Sequence, residues 1–298
     1  MALLCAAVTM AMAAPGATAA KKPASAAATG VSLSVKGKPR LLGKVTVNGH
    51  VANSLAGEQV EVAVTAQGRE LFKKKVHAKS DGSFDLGIQI NSCCRYVIEA
   101  TAASGPKGST SFKVGVPRKL GKGALTRLFN RSLQRAGYHT GTKGRKVTLG
   151  TRLAIKAFRK TNGMGRSQKY RRGIFRKLLQ GRGGFNPRYT DGRHVEVDLS
   201  RQVMSLIQGD TPKHTFHVSS GTSSTPTIRG KYTFYRKEPG YNNVRMYFSV
   251  YFQGGYAIHG YSGVPNYPAS HGCVRNPIPF SRFIYNWVDV GMPIYVYT

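Results

Sequence analysis

Apolar and polar residues alternate with a period of two through "KVTVNGHV" (44–51), "EQVEVAVTA" (58–66), "CCRYVIEATA" (93–102) and "TSFKVGV" (110–116). A period of two is that of a half-buried strand, because successive side chains point to opposite faces. Turn residues separate these runs, including Asp81-Gly82 after "KVHAKS". About seven short strands between 31 and 116 predict a small β-sandwich. From Leu120 to Gly183 the period lengthens. Leu125, Leu128, Phe129 and Leu133 fall on one helical face, with Gly137 as the stop. Leu153, Ala154, Ala157 and Phe158 mark a second helix that ends at Asn162-Gly163, and Ile174, Phe175, Leu178 and Leu179 mark a third. Strand patterning returns after Asp191 in "HVEVDLS", "QVMSLIQ", "HTFHVSSG", "KYTFYRK", "VRMYFSVYF", "YAIHG" and "IYVYT". One late helix interrupts it: Phe280, Phe283, Ile284, Trp287 and Val288 share a face, and Gly291 follows.

This division predicts a multidomain, mainly β chain: a β-sandwich over 31–116, a small three-helix module over 117–190, and a β-domain with one helix over 191–298. The N-terminal sandwich resembles the Ig-like modules often fused to bacterial surface enzymes. "LFNRSLQRAGYHTG", "TLGTRLAIKAFRKTNGM" and "YRRGIFRKLL" resemble, in that order, the peptidoglycan-binding domain-1 family of three-helix modules. This copy departs from the family by lacking the acidic residues usual between the first two helices.

Residues 1–19 read as an export signal. Leu3 to Ala14 is apolar but too short to span a bilayer, and Ala17-Thr18-Ala19 is a small-x-small cleavage site. The basic n-region is missing, which allows a start upstream of Met1. A Lys/Pro/Ala linker covers 20–30. The expected location is therefore outside the cytoplasm, in the cell wall or periplasm, with no transmembrane segment in the mature chain.

The net charge of +33 sharpens the picture because it is unevenly spread. Residues 117–190 hold 21 basic residues and no acidic one. A segment without carboxylates attracts polyanions. For an exported chain these are anionic wall polymers or lipid headgroups rather than nucleic acid. Arg127, Arg131 and Arg135 recur every four residues and predict one exposed stripe.

Cleavage of the signal would leave three cysteines. Cys93 and Cys94 are adjacent and could form a vicinal disulfide, which leaves Cys273 alone. An odd thiol in an exported protein is either an intermolecular link or reactive. Cys273 lies in "AIHGYSGVPNYPASHGCVRNP" (257–277), with His259 and His271 close by. Only a few per cent of an ordinary thiol is ionised near pH 7, and an imidazole can accept its proton and stabilise the thiolate as an ion pair. Backbone amides on a tight Gly-containing turn can stabilise an oxyanion. Residues alone thus give a Cys/His acyl-transfer site, against two rivals. One is a zinc site of two imidazoles and a thiolate, for which His214 and His217 are the other nearby ligands. The other is a buried structural thiol.

"SHGCVRN", with "IHG" upstream, resembles the signature of the L,D-transpeptidase catalytic domain, the YkuD type: a histidine, a spacer, Ser/Thr-His-Gly-Cys, a hydrophobic residue, then Asn or Arg. "VSSGTSSTPTIRGKYTFY" resembles the segment that precedes it in that family. The spacer of ten residues between His259 and Ser270 is shorter than in many members. The resemblance implies Cys273 as nucleophile and His259 as base, with the other ring nitrogen of His259 fixed by the Gly260 carbonyl. His271 would sit beside the oxyanion site and is the rival base. Gly272 and Cys273 would supply backbone donors. Arg275 could pair with a substrate carboxylate or serve a structural ion pair. Ser270 and Asn276 read as hydrogen-bonders of the loop, near substrate, and Tyr256, Tyr261 and Tyr267 could line the cleft.

The implied reaction is attack on the third-residue carbonyl of a peptidoglycan stem tetrapeptide, release of D-alanine, and transfer to an amine of a neighbouring stem in a 3→3 cross-link. Water as acceptor would give an L,D-carboxypeptidase instead. A non-catalytic basic wall-binding protein is the rival from another class. No metal or organic cofactor is implied.

Overall fold

A computed structural model describes residues 30–52 and 57–298 of the chain; the predicted export signal and nearly all of the linker lie outside the described residues. The described residues are mainly β, with four helices and several sheets.

Seven strands come first: β1 Val31–Lys36, β2 Lys44–Val51, β3 Gln59–Ala66, β4 Arg69–His77, β5 Ser83–Gln89, β6 Cys94–Ala102 and β7 Lys107–Val114. They form two sheets, ordered β1-β2-β5 and β4-β3-β6-β7. Every second residue of β2, β3, β5 and β6 is buried, which is the alternation seen in the sequence. Strand β4 differs: it is exposed along nearly its whole length and carries Lys73, Lys74 and Lys75 at the sheet edge. Charged side chains there discourage pairing with another chain. Cys93 and Cys94 are joined as a vicinal disulfide.

Three helices follow, α1 Ala124–Arg135, α2 Leu149–Thr161 and α3 Arg172–Leu179. Thr148 caps α2: its side chain accepts from the Thr151 amide, and Thr151 reciprocates to the Thr148 amide. Phe129, Leu133, Ala154, Phe158, Ile174, Phe175 and the inner residues of the N-terminal strands belong to one contiguous core. Arg127, Arg131 and Arg135 are exposed, so the predicted stripe exists.

The C-terminal segment contains β8 Arg193–Asp198, β9 Val203–Gln208, β10 Thr211–His217, β11 Gly230–Thr233, β12 Arg236–Tyr241, β13 Tyr247–Gln253, β14 Tyr256–Tyr261, β15 Val274–Pro277, α4 Ile278–Trp287 and β16 Pro293–Tyr297. The two sheets run β10-β9-β8-β16-β11 and β12-β13-β14-β15. Two features differ from the sequence reading. "KYTFYRK" is two strands in different sheets, divided at Phe234-Tyr235, and "VRNP" is a strand. The second matters most, because β15 starts directly after Cys273 and pairs in parallel with β14.

Helix α2 joins the helical segment to these sheets. Leu153 packs into the C-terminal core. Lys160, almost fully buried, places Nζ 3.1 Å from the Gln202 carbonyl, 2.9 Å from the Val218 carbonyl and 3.4 Å from His217 Nδ1. Burial, with Arg166 and Lys156 nearby, pushes the Lys160 amine down to about 6. His217 is held well below its ordinary value, chiefly by burial. At neutral pH both groups are uncharged. A neutral amine then donates to the two carbonyls and accepts from the imidazole N–H, so no charge is left unpaired in the joint.

The depressed value has a consequence for stability. Between about pH 6 and the ordinary amine range, the unfolded chain binds a proton at Lys160 that the folded chain does not, so this residue makes stability rise with pH in that window. Below about pH 6 both states are protonated and the cost of the buried charge is fully present. Lys160→Met should flatten this slope, and its stability relative to wild type should be greatest at the acid end. Urea midpoints of both proteins at pH 6, 8 and 10 test this; parallel profiles would contradict it.

Candidate active site

The parallel pairing of β14 and β15 sets the geometry. Ile258 lies opposite Val274 and His259 opposite Arg275. Continued one residue back, that register puts Cys273 opposite Ala257, two residues from His259. Side chains two apart on a strand share a face. Cys273 and Arg275 on one strand and His259 and Tyr261 on its neighbour therefore share a face. Ile258, Gly260, Val274 and Asn276 face the other way, toward α4. Gly260 is required there: a Cβ would lie 2.2 Å from Ser281 Oγ, which donates to Asn276 Oδ1 at 2.8 Å.

His259 is buried, at 4% exposure, and its Nδ1 lies 3.0 Å from the Gly260 carbonyl. A proton on Nδ1 makes that bond and leaves the Nε2 lone pair free. Burial pushes the imidazole down to about 4, with the nearby Arg275 charge acting in the same direction and the Gly260 bond opposing. Burial raises the Cys273 thiol, opposed by the Ala257 amide and the Arg275 guanidinium. The sulfur is partly exposed and donates to the Gly255 carbonyl at 3.4 Å. Burial thus favours the neutral form of both the Cys273 thiol and the His259 imidazole.

His271 is exposed on the loop. Gly272 has φ 115°, and a Cβ there would meet the Tyr256 ring at 2.7 Å, so this turn requires glycine. Its amide donates to Ser270 Oγ at 3.1 Å, and Ser270 Oγ in turn donates to the Cys273 carbonyl. Ser270 and Asn276 are each only 1% exposed. Ser270 holds the loop from inside, whereas Asn276 accepts from Ser281 on α4. Arg275 donates from Nη1 to the Ala269 carbonyl at 2.8 Å and lies 4.0 Å above the Tyr261 ring. It makes no ion pair with a carboxylate among the described residues. Tyr256 is half-buried beside Gly272; Tyr261 and Tyr267 are exposed.

Sequence reasoning missed the braces behind this loop. Thr227 Oγ1 accepts from the Gly221 amide at 2.8 Å and donates to the Gly272 carbonyl at 2.7 Å. The Ala269 and Ser270 amides donate to the Ser220 carbonyl, and the Thr222 amide donates to the Ser270 carbonyl. The run of hydroxyl residues in "SSGTSSTPT" was the available signal. Thr227→Val keeps the shape but leaves two buried backbone groups without partners, each costing about 1–3 kcal/mol. We expect a lower melting temperature together with slower acylation of Cys273. Wild-type acylation at unchanged stability would show that the brace is dispensable.

The zinc alternative lacks its other ligands. His214 faces His139, Nδ1 to Nδ1 at 3.2 Å, and His217 is occupied by Lys160. No three His, Cys, Asp or Glu side chains converge as a metal site among the described residues.

Residues 192–296 match the family described as YkuD, L,D-transpeptidase catalytic domain. No curated protein matches the chain. Among solved structures, that of the L,D-transpeptidase from Xylanimonas cellulosilytica is 26% identical, with a TM-score of 0.56, and the match covers 61% of this chain and 98% of that one. An L,D-transpeptidase from Stackebrandtia nassauensis is 20% identical with a TM-score of 0.38, covering 62% and 96%. The catalytic domain of the Enterococcus faecium enzyme is 24% identical with a TM-score of 0.32, covering 37% and 100%. The 192–296 match spans β14, which carries His259, and Cys273 directly ahead of β15.

Proposed function

From the premise that this chain is an L,D-transpeptidase-type enzyme with its catalytic domain at 192–296, we propose that it is exported and cross-links peptidoglycan through a Cys273 thioester. His259 removes the thiol proton as the sulfur attacks the third-residue carbonyl of a stem tetrapeptide. The C–N bond to D-alanine breaks, and the proton passes from His259 to the departing amine. An amine of a neighbouring stem then attacks the thioester, the C–S bond breaks, the amine's proton passes through His259 to the departing Cys273 sulfur, and the 3→3 cross-link forms. The observation that carries this reading is the placement of His259 and Cys273 on one face of adjacent parallel strands, with His259 Nδ1 tied to the Gly260 carbonyl.

In this reading the Cys273 amide is the first oxyanion donor. The Gly272 amide joins it only by leaving Ser270 Oγ. Arg275 favours the thiolate through its charge, rather than acting as an open clamp for a substrate carboxylate. The 31–116 strands form an Ig-like spacer, and 117–190 a peptidoglycan-binding-like module whose basic surface holds the enzyme to anionic wall polymer. Incubation with purified tetrapeptide muropeptides tests the function. Cross-linked dimer with loss of D-alanine is expected. Tripeptide without dimer would indicate the carboxypeptidase, and no turnover or adduct would indicate a wall-binding protein.

A further inference from the structure

A groove of about 850 Å³ lies where the helical segment meets the C-terminal segment. Six cations line it, Arg118, Lys119, Arg152, Lys156, Arg166 and Lys169, and no carboxylate does. They come from three separate stretches of chain: the approach to α1, helix α2, and the segment between α2 and α3. Arg152 and Lys156 are four apart on α2 and so share a face. Arg166 ties the groove to the loop between His259 and Cys273: its Nη1 donates to the Asn266 carbonyl, and Asn266 Nδ2 donates to the Arg166 carbonyl at 3.0 Å.

Lys156 is the unusual member. It is 8% exposed, it lines the groove, and its ammonium makes no hydrogen bond or ion pair with any described residue. Its stem is buried while its amine opens into the groove, where no described protein group satisfies it. Lys160, one turn on, shows how the fold satisfies an amine it means to keep, with two carbonyls and an imidazole. Lys156 has nothing comparable and points into a space ringed by five further cations. An anion in the groove would complete it. Lys156 and Gln168 also line a smaller hollow of about 390 Å³ with Tyr261, Ser262 and Gly263, so the concavity continues toward the catalytic strand β14.

We propose that this groove is a binding site for a phosphodiester polyanion, seated on Lys156 and Arg152 and running past Arg166 toward the catalytic loop. The volume far exceeds that of one phosphate, and cations on three chain segments suit successive phosphates of a flexible polymer. The proposal rests on the reading that the basic helical segment meets an anionic polymer, and it locates that meeting in the groove rather than on the Arg127/Arg131/Arg135 stripe.

The test measures binding of a labelled poly(glycerol phosphate) oligomer to the full chain by fluorescence anisotropy across a salt series. Three proteins are compared: wild type, the groove variant Arg152→Gln/Lys156→Gln, and the stripe variant Arg127→Gln/Arg131→Gln/Arg135→Gln. Removing a charge-assisted hydrogen bond to phosphate should weaken binding about tenfold or more. It should also reduce the slope of log K against log salt by about 0.7 for each phosphate no longer neutralised. The groove variant should show both effects and the stripe variant little of either. Arg152→Gln alone, at an exposed position, and the charge-keeping Lys156→Arg separate a missing phosphate partner from misfolding; the first should weaken binding and the second largely restore it. Equal losses in groove and stripe variants would overturn the groove while leaving electrostatic retention intact. No binding by wild type would overturn both. Full competition by inorganic phosphate at matched phosphate concentration would overturn the polymer, and equal binding of polyglutamate would overturn phosphate selectivity. None of these readouts depends on transpeptidation.

Discussion

Cys273→Ala is expected to abolish cross-linking and the covalent adduct with a stem tetrapeptide, while the melting temperature stays close to that of wild type. The thiol is partly exposed and it donates to the carbonyl of Gly255, an exposed residue, so its removal disturbs little of the packed interior. Catalysis, by contrast, loses the atom that forms the intermediate. Removing a nucleophile from a hydrolase triad costs on the order of 10⁶ in kcat, and a loss of that size here would be indistinguishable from background. Intact-mass spectrometry after incubation with tetrapeptide reads the adduct directly, and a carbapenem-type acylating agent should label the wild type at Cys273 alone. An adduct that survives in the alanine variant, or a label mapped to another residue, would overturn the thioester mechanism.

His259→Ala should be the second largest loss, about 10²–10⁴ in acylation rate at neutral pH. The reason lies in the resting protonation states. The thiol is raised above its ordinary range, so almost no thiolate exists at pH 7 without a base. The imidazole, pushed down to about 4, is neutral and able to accept a proton over nearly the whole working range. In wild type, kcat/KM should therefore fall on the acid side only near pH 4 and stay flat through neutrality. In His259→Ala that plateau should vanish and the rate should climb with pH as thiolate forms unaided. His271→Ala should keep the wild-type profile, because His271 is exposed on the loop while the shared face of β14 and β15 holds His259. A pH-rescued loss in His271→Ala, with a normal profile in His259→Ala, would exchange the two roles.

The elements that were legible in the sequence are those whose pattern is local. The stripes of α1, α2 and α3 follow the helical period, and most N-terminal strands alternate as a half-buried sheet must. The Cys/His loop was legible because its chemistry is dense: one free thiol and two imidazoles within fifteen residues. What escaped depended on distant partners. Four residues ending in proline carry no period, and β15 becomes a strand only because β14 lies alongside it. Ser270 and Asn276 looked like polar residues of a loop near substrate; their burial follows from the braces of the 219–227 segment and from Ser281 on α4. Lys160 looked like one of 21 cations on a solvated module. Only the docking of α2 against β9 and β10 makes it an interior group.

That docking also bears on how the chain can be divided. A fragment beginning at Asp191 contains the whole catalytic match, but it would uncover the apolar seat of Leu153 and leave the carbonyls of Gln202 and Val218 without the amine that Lys160 supplies. The Gln202 side chain exchanges hydrogen bonds with Ser220, whose carbonyl anchors Ala269 and Ser270 beside Cys273. Limited proteolysis should accordingly release no stable piece at that junction. The helix and the sheets would be inherited, transplanted or lost together, and a swap of the upstream segments that cuts ahead of β8 would carry away part of the support for the loop that holds Cys273.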